Sequence, residues 1–225
     1  MAQVVLLEDY KLEEWISRSG ETRCAACAGK AGESASCARN RILQYAVNQA
    51  VSDFYALPPK MRSYAKAEQL ARCRWDLHMA GREGSVSSGR NAAGSPRTRV
   101  AENLAAFLTD GEPEDAYPMV LFEQHRAFVD ELNVEMTMIV HALDVTAAGG
   151  YRMRKFAVDE RPEVIHAYRH LATAFCFFAF GKIPEIIEAL GVLSGRRYTF
   201  VPDMTSLDPA VDFIRILRDS WRAGV

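Results

Sequence analysis

Cys24-Ala-Ala-Cys27 is the first spacing in the chain that could do chemistry. Two cysteines separated by two residues can turn both sulfurs toward one metal, and a structural zinc needs four such ligands. Cys37 and Cys73 complete the candidate set, with His78 a further donor, and a structural zinc is the only cofactor this pattern suggests. No second CxxC and no HxxxH follows at a finger-like distance. Glu163-Val-Ile-His166 is an ExxH, with His170 one turn further on. Di-iron bundles need two such motifs plus two more glutamates, so a metal-dependent helical enzyme is the weakest of three functional readings. The chain has no GxSxG, P-loop or HExxH. No catalytic residue is therefore nominated, and a non-enzymatic role is expected.

Charge carries more information than any motif. Residues 60–99 hold nine basic groups and three acidic ones, and residues 101–145 hold one basic group and ten acidic ones. The net charge of the whole chain is only -2. Arginine also far outnumbers lysine, and its planar fork suits carboxylate and phosphate. Arg62, Arg72, Arg74, Arg82, Arg90, Arg97 and Arg99 are the candidate residues for binding an anionic partner, interleaved with Tyr64 and Trp75. Two blocks of opposite sign suggest a non-enzymatic subunit that associates with other subunits through complementary surfaces. The alternative is a nucleocapsid-like protein that holds single-stranded RNA by its phosphates and stacks bases on aromatic rings. The simplest reading of all is that the two blocks neutralise each other on the surface.

The elements that must position these residues read as helices. Apolar spacing marks helices over 6–18, 38–56, 60–80, 97–108, 117–148, 162–180, 183–193 and 208–221, with Pro58, Pro59, Pro113 and Gly149 as breaks. Residues 151–158 alternate and read as extended, as do 198–201. The expected fold is therefore all-α, an irregular bundle of seven or eight helices. It has a long flexible loop near 81–96 and an extended segment near 196–209. A single domain over 1–225 is expected, with a subdivision into 1–80 and 97–225 as the alternative.

Five cysteines, an odd number, argue for a reducing intracellular compartment rather than a disulfide framework. Glu8 and Asp9 interrupt the apolar start, so no cleavable targeting signal is expected. The longest apolar run, 171–180, is about half of a membrane span.

Overall fold

The computed structural model describes residues 4–9, 11, 35–79, 94–110, 117–146 and 148–222. The candidate loop at 81–96 falls mostly outside them, as does most of the 6–18 segment.

The all-α expectation is overturned by a six-stranded mixed sheet. The elements are β1 (Val5–Glu8), α1 (Ala35–Ala56), α2 (Tyr64–Met79), α3 (Pro96–Thr109), β2 (Val120–Val129), β3 (Val134–Val145), β4 (Tyr151–Ala157), α4 (Pro162–Phe180), β5 (Ile186–Gly191), β6 (Arg197–Phe200) and α5 (Leu207–Arg222).

The predicted helix over 117–148 is the hairpin of β2 and β3. Its apolar residues at 128, 132, 136 and 140 are four apart, a spacing that fits both a helix turn and every second strand position. The structure follows the two-residue period. Val134, Met136, Met138 and Val140 are buried, while Glu135 and Ile139 point the other way. β-branched residues at 120, 129, 134, 137, 139, 140 and 145 favour the strand. The strands join through a 3-10 turn over Asp130–Leu132, closed by Asn133 at φ 50. Asparagine is among the few non-glycine residues that tolerate the left-handed region.

The predicted helix over 183–193 is also a strand, β5. Ile187 and Ala189 face one core cluster and Leu190 faces the other, so the segment is apolar except for the buried Glu188. A short run buried on both faces carries no period to separate strand from helix. The extended readings at 151–158 and 198–201 correspond to β4 and β6.

Helices lie on both faces of the sheet. α1, α2 and α3 pack on Ala142, Phe156 and Leu190, while α4 and α5 pack on Met136, Met153, Ile187 and their neighbours. Ser95 caps α3 by accepting from the Thr98 backbone N–H at 3.2 Å, and Pro96 takes the first helical position. Pro162 opens α4 in the same way, and Gly181 at φ 71 ends it.

β3 is the centre of the sheet. One edge pairs with β2 along its length. The other edge is shared: β1 runs parallel to residues 134–137, and β4 runs antiparallel to residues 142–145. β5 then joins β4 in parallel, and β6 joins β5 antiparallel.

Phe122 has φ 49 inside β2. A bulky residue held there costs on the order of 1–3 kcal/mol. The kink turns the strand, so Val120 joins one core cluster while Leu121 and Phe122 pack against the other.

Candidate functional site

The shared edge of β3 leaves a seam. The ladder with β1 ends at Thr137 and the ladder with β4 begins at Ala142. Side chains take over the backbone partners in between. The Asp9 carboxylate accepts the Ile139 N–H at 2.9 Å. The His141 Nδ1 accepts the Phe156 N–H at 3.3 Å. The Gln44 amide, from α1, donates to the Phe156 carbonyl at 2.7 Å and accepts from the Val158 N–H at 3.1 Å. The Lys155 ammonium lies 5.0 Å from the centre of the Tyr168 ring.

Burial sets the titration of this seam. It pushes His141 down to about 4. It pushes Lys155 down to about 8, against the opposing pull of Asp9 and Asp159. Burial, with Cys176, Asp9 and Glu188 nearby, holds the Tyr168 hydroxyl well above its ordinary value.

The neutral His141 has a consequence for acid stability. The unfolded chain takes up this proton near pH 6.5, while the folded chain resists it to about 4. Stability therefore falls by about 3 kcal/mol as pH drops through that window. His141→Gln keeps an acceptor for Phe156 and removes the proton. Urea unfolding of this variant from pH 7 to 4 is expected to be flatter than wild type by most of that amount, and an unchanged slope would refute the assignment.

On the face under α1 to α3, charges alternate across four strands. Arg154 on β4 stands opposite Glu188 on β5. The Arg154 Nη2 donates to the Asp144 Oδ1 at 2.9 Å and to the Tyr55 hydroxyl at 3.1 Å, and its Nε lies 2.7 Å from Asp144 Oδ2. Arg152 adds a 3.3 Å bond to the same carboxylate. Arg197 on β6 donates to Glu188 at 3.1 Å and also pairs with Asp110 at the end of α3. Burial works against the charge on Arg154, but Tyr55 and Asp144 outweigh it and its pKa is raised. This row holds the strands in register and ties α1 and α3 to them.

Among the described residues, four of the arginines singled out by the sequence bond within the chain. The Arg62 guanidinium donates to the Tyr55 and Leu57 carbonyls, at 2.8 and 3.0 Å, and so closes the C-terminus of α1. Arg72 pairs with Glu68 on its own helix, Arg74 with Asp53, and Arg97 with Asp76. Arg99 is exposed. Arg82 and Arg90 lie outside the described residues.

Of the candidate zinc ligands, Cys24 and Cys27 also lie outside the described residues. Cys37 falls within α1, and Cys73 is exposed on α2. Among the described residues, no three His, Cys, Asp or Glu side chains gather around one point. Glu163 and His166 are exposed on α4, and His170 stacks on Phe213 of α5 at 5.3 Å.

Asp9, His141, Asp144, Arg154, Lys155 and Glu188 were not singled out by the sequence reading. The available signal was Arg152-Met-Arg154-Lys155, three cations in an alternating segment bounded by apolar residues.

Two surface features remain. A shallow depression of about 420 Å³ between α1 and α2 is lined by Arg41, Ile42, Tyr45, Leu77 and His78. The second is a partly exposed apolar patch on one face of the sheet, beside the buried Thr137. Leu6 and Phe128 both stand opposite Glu135, and Ile139 lies four residues further along β3 on the same face. Leu6 and Phe128 are each 44% exposed and Ile139 is 37% exposed. Arg126 and Glu135 form a 3.3 Å ion pair between them.

Comparison of the chain with protein-family models, curated proteins and solved structures finds no match. Among the described residues, no helix is long and apolar enough to cross a membrane.

Proposed function

We propose that this chain is a non-catalytic subunit that works by associating with other protein subunits. The observation that carries the reading is a partly exposed apolar patch on the sheet, formed by Leu6, Phe128 and Ile139 on either side of the buried Thr137. Exposed apolar side chains grouped on a sheet surface mark contact sites more often than isolated ones do. The internal charges support the same reading. Asp144, Arg154 and Glu188 bond within the fold, and Cys176 is buried with its thiol pushed up to about 12.

Arg72 and Arg97 pair inside the basic block, and Arg74 pairs with Asp53. Asp144 and Asp110 of the acidic block pair with Arg154 and Arg197. An apolar contact, trimmed by Arg126 and Glu135, fits this patch better than opposed fields of charge.

The test is the mass of the nuclease-treated chain in solution, measured by light scattering at low and high salt. The expected result is a mass above 25.1 kDa that survives high salt, because apolar contact is not screened. A monomer at every concentration overturns the proposal. So does a larger mass that collapses with nuclease, which would turn the reading to nucleic acid.

A further inference from the structure

We infer that the chain pairs with a second copy of itself through the outer edge of β2, strand against strand, so that two sheets become one. The inference rests on the assembly reading for self-association and adds the surface and the register.

Among the described residues, β2 pairs on one side only, with β3. The main chain of β3 shows which groups of β2 are left over. The Asn133 carbonyl accepts the Val5 N–H and the Asp9 carboxylate accepts the Ile139 N–H, so the odd-numbered residues from 133 to 139 turn toward β1. The even-numbered ones turn toward β2, where they meet Glu123, His125, Ala127 and Val129. Gln124, Arg126 and Phe128 therefore aim their N–H and C=O groups outward. Among the described residues, no other main chain bonds to them. The Glu123 and Arg126 side chains are 61% and 74% exposed, so the edge is open. Such a row of groups is a template for another strand.

The far edge of the sheet is guarded. β6 is four residues long, its Arg197 is tied to Glu188 and Asp110, and Pro202 follows it. Short length, charge and proline all blunt an edge. β2 is ten residues long and holds no proline or lysine.

The sequence of β2 selects a second β2 as the occupant. Self-pairing about a twofold axis is antiparallel and sets residues of one sheet face opposite each other, so the axis passes beside a single residue. Beside Gln124, the ladder runs at once into Phe122, kinked at φ 49. Beside Arg126, two guanidiniums stand opposite each other, which is unfavourable. Beside His125, Gln124 stands opposite Arg126 of the second copy and its amide oxygen accepts from that guanidinium. Glu123 then lies diagonal to His125 of the second copy, and the ladder uses the regular stretch from Glu123 to Ala127. α4 lies beside β2, and Phe178 and Phe180 in its last turn are only partly buried. The axis keeps both α4 helices on one side of the joined sheet, facing each other across the join.

His125→Cys in the otherwise native chain gives the first test. Residue 125 bonds inward to β3, so the two copies of it form a closely spaced pair without mutual hydrogen bonds. Mild oxidation is expected to convert the 25.1 kDa chain to a species of twice that mass on a non-reducing denaturing gel, with a 125–125 link in its digest by mass spectrometry. Wild type, with its five native cysteines, is the background. Gln124→Pro is the second test. It removes an outward N–H that the single chain does not use, so the fold is kept while association weakens by about tenfold or more. Absence of the 125–125 link overturns the edge pairing, and so does a folded Gln124→Pro that associates like wild type. If Gln124→Pro does not fold, the link alone decides. The assembly reading survives either failure if the native chain exceeds a monomer by light scattering, and both fall if it is monomeric.

Discussion

Asp144→Ala is expected to cost about 3–5 kcal/mol, because it leaves the Arg154 guanidinium buried without its main counter-charge. Only 6% of the Arg154 side chain is exposed, against 10% for Asp144, so water cannot replace the lost carboxylate. The Tyr55 hydroxyl remains as a neutral partner. Total stability of an ordinary domain is about 5–15 kcal/mol, so this single change consumes a large part of it. Asp144→Leu combined with Arg154→Met is expected to recover most of the loss, since an apolar pair needs no counter-charge. Urea midpoints of the wild type and both variants check this. A loss below about 1 kcal/mol for Asp144→Ala, the range of a surface pair, would show that the row does not hold the sheet.

Lys155 gives the second large effect, with the same sign in pH as His141 but in an alkaline window. The folded chain releases this proton near pH 8, while the unfolded chain keeps it to its ordinary value of 10.5. Between those values the unfolded state binds more protons, so this residue raises stability as pH rises. The gain is about 3 kcal/mol over the full window. It is lost again as pH falls from 10.5 to 8. Cys176 opposes it in the same range, since its thiol is held up to about 12 by burial. The informative quantity is therefore the difference between wild type and Lys155→Met. That difference is expected to favour the variant near pH 7 and to shrink steadily up to pH 10. A difference that does not vary with pH would contradict the buried position of Lys155 between Asp9 and Tyr168.

The helices were legible because their ends carry local chemistry. Pro58 and Pro59 stop α1, Ser95 and Pro96 start α3, and Pro162 and Gly181 bracket α4. The strands were not, for two different physical reasons. In β3 the i, i+4 spacing of Leu132, Met136 and Val140 is common to both periods, and the deciding Val134 and Met138 lie between them. In β5 both faces are covered, and the single buried Glu188 is too little to show a polar side or a period. β1 was hidden in a longer apolar start that also fits a helix.

The polar seam was illegible for a third reason. Asp9, just after β1, is distant in sequence from His141 on β3 and Lys155 on β4, and only the shared edge of β3 brings it to them. No spacing rule reaches across such a gap. The charge blocks were legible as composition but not as geometry. Arg74 finds Asp53 across two helices, and Asp110 finds Arg197 across the fold, so the segments that differ in sign are not the segments that meet.

Sedimentation of wild type beside the double variant Phe128→Lys, Ile139→Lys tests the central claim most directly. Both positions are exposed and Phe128 faces Glu135, so folding stability should change by no more than about 0.5 kcal/mol. The prediction is a wild type that associates with rising concentration and a folded variant that sediments as a 25.1 kDa monomer. Identical sedimentation of the two chains would contradict it.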